Sequence, residues 1–244
     1  MKNVLSIAGF DPSGGAGVLA DIKTFNAFGE NGFGVTTSIT FQNAYSFEGV
    51  NWLSFEQIEK QLSPLAKEEI SVVKIGLIES ISQLDKIIDL VNEHHPDTFI
   101  VWDPILSASA GFTFHSDLNG LEQILAKIDC ITPNKPELAE IQKNLSDKYT
   151  ILPPTKSMIL KGGHDTGNKA IDEIWIEGEL QDSLVSDRLD GSIHGSGCVL
   201  SSALSANIAK GLNLKEALLL AKEYVFELID SQENNLAKHY LVQV

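Results

Sequence analysis

The chain has 244 residues and a formal net charge of −15 at pH 7, and 43% of its residues are hydrophobic. This composition is that of a globular protein with a full core, and its acidity argues against a nucleic-acid partner, whose phosphates would be repelled. Two cysteines are fewer than a secreted disulfide framework normally has, and neither a signal peptide nor a membrane span is evident, so we expect a cytoplasmic protein.

The hydrophobic pattern alternates between strand-like and helix-like segments from start to end. In chain order, it predicts a strand at residues 4–8, a helix at 18–28, a strand at 34–41, a helix at 55–66, a strand at 72–75, a helix at 81–91, strands at 99–102 and 130–131, a helix at 136–143, a strand at 157–160, an antiparallel hairpin at 171–176 and 180–185, and helices at 197–210 and 214–230.

This alternation predicts a single domain over residues 1–244, a three-layer α/β/α sandwich with a mainly parallel central sheet and a short antiparallel hairpin. Right-handed crossovers place the carboxyl ends of the parallel strands at one edge, where such folds bind ligands. Gly9, Gln42, Asp103 and Lys161 each come just after a predicted strand. We therefore expect one active site at that edge.

A glycine-rich segment, AGFDPSGGAG at residues 8–17, joins the first strand to the first helix. Its glycines permit positive φ and close approach of a ligand, and the helix start offers N–H groups to an anion. The segment lacks the ending of a P-loop and the spacing of a dinucleotide fingerprint, so a tight turn and a ligand-binding loop are equally supported. Asp21, one turn into the helix, is either a solvated charge or a partner for a polar ligand.

The segment TPNKPE at residues 132–137 places Glu137 three residues after Asn134. This spacing is typical of a helix capping box, so a structural role is the better-supported interpretation. The alternative is that Glu137 orders the waters of a Mg²⁺ ion near nucleotide phosphates, because Mg²⁺ usually keeps several waters.

The segment KGGH at residues 161–164 follows a predicted strand. A lysine at a strand end is often only solvated; the alternative, given the two glycines after Lys161, is an ammonium directed at a phosphate. His164 is by itself more typical of a structural or exposed histidine than of a catalytic one.

The strongest motif is HGSGC at residues 194–198, directly before a helix. Gly195, Ser196 and Gly197 expose N–H groups at the helix start, and with the helix dipole they predict an anion hole. Cys198 lies in the first turn, where we expect the dipole to lower the pKa of its thiol. A small buried cysteine is the ordinary alternative, but an anion hole beside a titratable group favours chemistry.

Together these motifs resemble the ribokinase superfamily, and within it the bacterial hydroxymethylpyrimidine/phosphomethylpyrimidine kinases of thiamine biosynthesis. No single motif decides this, but the ordered set is highly specific and extends over nearly the whole chain. The matching segments are AGFDPSGGAG at 8–17, ADIKTF at 20–25, QN at 42–43, KIG at 74–76, DP at 103–104, TPNKPE at 132–137, KGGH at 161–164 and HGSGC at 194–198.

The resemblance implies a ribokinase-like fold and a pocket for a flat ring. In that pocket Asp21 and Gln42 would hydrogen-bond the aminopyrimidine, and Gly9 would approach it with its backbone. Leu77, at a position that is commonly methionine in the family, would form one apolar wall.

The resemblance also implies ATP as co-substrate, Mg²⁺ as cofactor and a homodimer. Asp103 and Glu137 would serve Mg²⁺ through water, and Lys161 would contact the ATP phosphates. Residues 195–197 would form the anion hole, and Cys198 would occupy the catalytic position that many sugar kinases of the superfamily fill with aspartate.

Three further departures from the family pattern stand out. Ser196 replaces a threonine but keeps the hydroxyl, and Ile193 stands where threonine is usual. The segment between Glu137 and Lys161 is short for the family and contains Pro153 and Pro154, so we expect it to lack a helix.

The predicted reaction transfers the γ-phosphoryl group of ATP to the hydroxymethyl group, with the Cys198 thiolate accepting the alcohol proton. A second round would convert the monophosphate to the diphosphate. One alternative is a pyridoxal/pyridoxine kinase, because a pocket glutamine at position 42 does not exclude a pyridine. The other is a catalytically silent ligand-binding protein of the same fold, against which the complete set of Lys161, Glu137 and the glycine-rich hole speaks.

Overall fold

The computed structural model describes residues 1–107, 114, 117–145, 155–163, 167–188, 191, 193–232 and 234–242. Its strands are β1 (Asn3–Phe10), β2 (Asn31–Gln42), β3 (Phe47–Trp52), β4 (Ile70–Ile75), β5 (Phe99–Trp102), β6 (Cys130–Ile131), β7 (Ser157–Leu160), β8 (Lys169–Ile176) and β9 (Glu179–Asp187). Its α-helices are α1 (Gly17–Ala27), α2 (Phe55–Leu62), α3 (Ile81–His94), α4 (Leu121–Leu125), α5 (Lys135–Lys143), α6 (Ser196–Ala209) and α7 (Leu214–Asp230), and a 3₁₀ turn covers Ser63–Leu65.

The nine strands form one sheet in the order β3-β2-β1-β4-β5-β6-β7-β8-β9. The strands from β2 to β7 in that order run parallel, whereas β3 at one edge and β8 and β9 at the other are antiparallel to their neighbours. Because side chains alternate along a strand, Leu5 and Ile7 of β1 pack with α2 to α5, whereas Val4 packs with α1, α6 and α7. The predicted three-layer sandwich is confirmed.

Most predicted elements agree with the structure to within a few residues, and two elements were not predicted. Strand β3 is a half-exposed edge strand, so its hydrophobic alternation is weak. Helix α4 has five residues, which is too short for a helical period to show. The hairpin turn is shorter than expected, because Glu177 and Gly178 form it alone with positive φ of 49° and 84° and Glu179 already belongs to β9.

None of the helices among the described residues combines the length and apolar character that crossing a bilayer requires. Cys130 and Cys198 are both buried and free. His164, Pro153 and Pro154 lie outside the described residues.

Candidate active site

The predicted site residues gather beyond the carboxyl ends of the parallel strands. Gly9 lies near the end of β1 and Gln42 is the last residue of β2, while Asp103 and Lys161 directly follow β5 and β7. The start of α6 reaches the same edge, since a Cβ atom on Gly197 would lie 3.4 Å from Nζ of Lys161.

A buried charged cluster occupies the centre of this edge. Nζ of Lys161 donates to Oδ1 of Asp103 at 2.7 Å and lies 3.9 Å from Oε2 of Glu137. Asp103 also accepts hydrogen bonds from Thr132 at 3.2 Å and Ser201 at 3.0 Å. The cluster therefore joins β5, β6, β7, α5 and α6.

The two carboxylates of this cluster respond differently to burial. Burial opposes ionisation of Asp103, but the ammonium groups of Lys161 and Lys74, together with the hydrogen bonds to the carboxylate, more than offset it and hold the pKa of that carboxyl below its usual value. Glu137 lies further from the Lys161 ammonium, which therefore stabilises its ionised form less. Burial, reinforced by the charge of Asp103, raises the pKa of Glu137 to about 7. The pKa of Lys161 is raised, because Asp103 and Glu137 together outweigh its desolvation.

Glu137 also has the capping role that its spacing predicted. Its N–H donates to Oδ1 of Asn134 at 2.8 Å, and the N–H of Asn134 donates to Oε2 of Glu137 at 2.7 Å. This reciprocal pair is the capping box at the start of α5. The two interpretations of Glu137 are thus compatible, because the capping carboxylate also faces Lys161.

The cluster fits a hydrated cation better than a directly bound one. Within the described ranges, no group of three or more His, Cys, Asp or Glu side chains is arranged to hold a metal ion. Asp103 and Glu137, when both are ionised, carry one more charge than Lys161 can neutralise, and the charge of Asp103 adds to the effect of burial in raising the pKa of Glu137. A Mg²⁺ ion that keeps its waters would neutralise this excess negative charge without direct contact with the carboxylates.

The start of α6 has the geometry of an anion hole. Gly195, its N-cap, has a φ of +77°, and a Cβ atom there would lie 2.1 Å from the carbonyl oxygen of Gly15, so glycine is required. The N–H of Ser196 bonds to the carbonyl of Ile193 at 3.3 Å. The hole is therefore formed chiefly by the N–H groups of Gly197 and Cys198, which have no acceptor within the helix.

The expected lowering of the Cys198 pKa is wrong. Burial raises the pKa of this thiol to about 11, and the nearby carboxylates of Asp103 and Asp21 add to the rise. Lys74 and a hydrogen bond from the Gly17 backbone act in the opposite direction without reversing it. Desolvation outweighs the helix terminus because the side chain is buried against α1 and the sheet rather than held in an open cleft.

Asp21 lies in a second buried network instead of facing an open pocket. Nζ of Lys74 is 3.0 Å from both of its carboxylate oxygens, and Ser6 and Ser202 donate to it at 2.5 Å and 2.7 Å. Asp21, Lys74 and Ser6 are fully buried, as is Ser202. This network ties α1 and α6 to strands β1 and β4 beneath the anion hole.

Gly9, Leu77 and Ser38 form one wall next to this network. A Cβ atom on Gly9 would lie 2.7 Å from Oγ of Ser38 and 3.1 Å from Cδ2 of Leu77, so the wall is close-packed. Oγ of Ser38 is buried and has no hydrogen-bond partner in the described part of the chain. Gln42 is half-buried at the end of the neighbouring strand.

Residues without an assigned role in the sequence analysis complete the site. Asp11 accepts a hydrogen bond from His194 at 2.9 Å, and Lys74 neutralises Asp21. Asp11, His194 and Lys74 stand inside the motifs AGFDPSGGAG, HGSGC and KIG, and membership of these motifs was the only indication in the sequence that they belong to the site. Spacing alone did not indicate a role for them, because their partners are distant in sequence.

A three-layer α/β fold with a lysine and two carboxylates beside a glycine-built anion hole defines a phosphotransferase. Residues 11–243 match the family described as phosphomethylpyrimidine kinase, and the chain belongs to that family.

Relatives and solved structures agree with this assignment. The hydroxymethylpyrimidine/phosphomethylpyrimidine kinase of Aquifex aeolicus is 34% identical over 97% of both chains, and that of Bacillus subtilis is 28% identical over 93% of this chain and 89% of its own. The structure of Clostridium difficile phosphomethylpyrimidine kinase is 29% identical and covers 93% of this chain and 99% of its own with a TM-score of 0.75. The structure of Staphylococcus aureus pyridoxal kinase in complex with ADP is 25% identical, and the match covers 99% of this chain and 94% of the pyridoxal kinase chain with a TM-score of 0.82.

Proposed function

We propose that the chain transfers phosphate from ATP to 4-amino-5-hydroxymethyl-2-methylpyrimidine and then to the resulting monophosphate, in thiamine biosynthesis. Membership of the family and the names of the curated relatives support this substrate class. One geometric observation carries the phosphoryl transfer itself. The Lys161 ammonium lies beside the start of α6, 3.4 Å from where a Gly197 Cβ would be, so a cation and helix N–H groups converge on one point.

In this proposal the protein acts mainly by positioning groups and neutralising charge. The γ-phosphoryl group lies at the N–H groups of Gly197 and Cys198, where preorganised donors stabilise the charge on its oxygens. Lys161 contributes its ammonium from beside the start of α6. The ring packs on the wall of Gly9 and Leu77, and the Gln42 amide hydrogen-bonds the ring's polar edge.

Asp21 receives a modified role, because its network supports positioning rather than direct ring contact. Both carboxylate oxygens already accept hydrogen bonds from Lys74 and from Ser6 or Ser202. Asp21 would then fix the distance between the strands below the ring and α6, whose first residues form the anion hole.

Mg²⁺ is assigned to Asp103 and Glu137 through water. When bound, it would neutralise charge on the phosphates of ATP. Lys161 holds Asp103 in place, and the capping box holds Glu137, so both carboxylates are fixed before the ion arrives.

Cys198 remains the proposed general base for the alcohol, with a modified charge state. Because its pKa is raised, the thiolate is a minor species near neutral pH, but a thiolate of high pKa is a strong base. A cytoplasmic location and a homodimer also remain proposals, the latter testable by light scattering in solution.

Pyridoxal phosphorylation is a second candidate, favoured by the similarity of the fold to pyridoxal kinase. A phosphate-transfer assay with each ring at matched concentrations separates the candidates. We expect kcat/KM to be higher for the hydroxymethylpyrimidine. A preference for pyridoxal would replace the proposed substrate, and no transfer to either ring would leave a ligand-binding protein.

A further inference from the structure

One hydrogen bond joins the glycine-rich loop after β1 to the start of α6. Nε2 of His194 lies 2.9 Å from Oδ2 of Asp11. The same carboxylate accepts from the N–H groups of Ser13 and Ala16, both at 2.9 Å. The side chain of Asp11 is 1% exposed and that of His194 12% exposed, so the pair is shielded from solvent.

Asp11 is held in its ionised form. Burial opposes ionisation, but hydrogen bonds from His194 and Ser13 more than offset it and keep the pKa of Asp11 below its usual value. Hydrogen bonds to an ionised acceptor are shorter and roughly twice as strong as those between neutral groups. The pair is therefore a strong connection between two loops that are 183 residues apart in sequence.

The two loops are in backbone contact at this point. A Cβ atom on Gly195 would lie 2.1 Å from the Gly15 carbonyl oxygen, and one on Gly15 would lie 2.7 Å from Cδ2 of His194. The Gly17 backbone also hydrogen-bonds the Cys198 thiol. A shift of the glycine-rich loop would thus displace both the anion hole and the thiol's donor.

We infer that Asp11 and His194 are positioning residues for phosphoryl transfer, which hold the glycine-rich loop against the start of α6 so that the anion hole keeps its geometry. In this role neither residue touches the reacting atoms. The inference rests on the proposed function for its kinetic consequence, but the rigidity of residues 194–200 does not depend on the substrate.

The test compares His194→Ala, which removes the donor, with His194→Gln, whose amide can still donate to Asp11. A displacement of about 1 Å in a reacting geometry lowers rates by up to about 100-fold. With both substrates saturating, we expect His194→Ala to slow single-turnover transfer at least about tenfold, with KM for the ring within about threefold of the parent protein. His194→Gln should retain a rate within about threefold of the parent protein.

Tyr224→Phe is the matched control, because it removes another 2.9 Å histidine hydrogen bond, from Tyr224 to His239. It should leave the transfer rate unchanged. If His194→Ala retains the parent rate, or if His194→Gln or Tyr224→Phe is slowed as strongly as His194→Ala, the positioning role is wrong.

Amide hydrogen exchange of residues 194–200 in the ligand-free protein separates this inference from the proposed function. Exchange should be faster in His194→Ala than in the parent protein and unchanged in His194→Gln. If the parent protein phosphorylates neither ring, the proposed function fails, and exchange alone decides the inference. Equal exchange in all three proteins would overturn it.

Discussion

Lys161 Nζ lies 2.7 Å from Oδ1 of Asp103, so a lysine that follows β7 is paired with an aspartate that follows β5, across the two-residue strand β6. Both side chains are almost completely buried. This pair fixes the lysine before any phosphate is present, and it also makes the stability of the fold depend on a residue of the site.

Lys161→Met should therefore damage both stability and activity. The substitution leaves the Asp103 carboxylate buried without its cation, and removing one partner of a buried pair costs about 3–5 kcal/mol. Urea denaturation measures this loss of unfolding free energy. Lys127→Met is the control, because its pairs with Asp85 and Asp89 are partly exposed, and such pairs contribute about 0–1 kcal/mol.

The double variant Lys161→Met/Asp103→Asn separates the two effects. It removes the unpaired charge, so most of the stability should return while phosphoryl transfer remains impaired. Recovery of activity together with stability would show that Lys161 serves the fold and not the phosphates.

Asp21→Asn distinguishes a positioning role from direct contact with the ring. The Lys74 ammonium, fully buried, would lose its counter-ion, so we expect a loss of about 3–5 kcal/mol in urea denaturation. Direct ring contact without a structural role predicts instead a raised KM for the ring at unchanged unfolding free energy. The double variant Asp21→Leu/Lys74→Met should recover part of the stability.

Gln42→Leu should raise KM for the pyrimidine while KM for ATP stays almost unchanged. A ring edge left without its partner loses about 1–3 kcal/mol, which corresponds to roughly 5- to 150-fold in KM. Gln61→Leu is the control, because the Gln61 amide binds the backbone of Thr36 on β2 and has a structural role. An equal rise in both KM values for Gln42→Leu would contradict the assignment.

Glu137→Gln should raise the Mg²⁺ requirement without loss of helix capping. Because the pKa of Glu137 is about 7, its carboxylate is protonated as the pH falls through 7, and protons then compete with Mg²⁺. The Mg²⁺ concentration for half-maximal activity should therefore rise below pH 7 in the parent protein. In Glu137→Gln it should be high throughout and lose this pH dependence.

Glu216→Gln provides the matched control for the metal prediction. Asn213 and Glu216 form the same type of capping box at the start of α7, and Glu216 is exposed. This variant should keep the parent Mg²⁺ requirement. A normal requirement in Glu137→Gln would leave the glutamate with its capping role alone.

The order of strands and helices was predictable because the core strands β1, β4 and β5 are short, mostly apolar segments that two helical layers bury. The position of the site followed from the same pattern, since Asp103 and Lys161 each directly follow a parallel strand. The capping box of Glu137 was predictable because it depends on a spacing of three residues.

Contacts between distant segments were not predictable from local spacing. The partner of Asp21 in α1 is Lys74 on β4, and the partner of Asp11 is His194, 183 residues further along the chain. The prediction that the pKa of Cys198 is lowered was wrong for a related reason. Its position in the helix is a local property, whereas its burial depends on how α6 packs against α1 and the sheet.

The last prediction concerns the base in the two phosphorylation steps. In the first step an alcohol attacks and must lose a proton. In the second step a phosphate oxygen attacks, and it is already ionised near neutral pH because its second pKa is about 6. The pKa of Cys198 is about 11, so at pH values below 11 its thiolate fraction increases about tenfold for each unit that the pH rises.

The alcohol step should therefore accelerate between about pH 8 and 9.5 in the parent protein, while the phosphate step stays nearly flat. Cys198→Ala should abolish this acceleration and slow the alcohol step by about 10²–10⁴-fold, with a much smaller effect on the phosphate step. Cys198→Ser should behave like Cys198→Ala, because its hydroxyl does not ionise in this range.

Gly197→Leu should slow both steps alike, since its side chain would displace Lys161 and close the anion hole. Single-turnover transfer to each substrate measures all four proteins, and equal slowing of both steps in Cys198→Ala would restrict the thiol to shaping the hole.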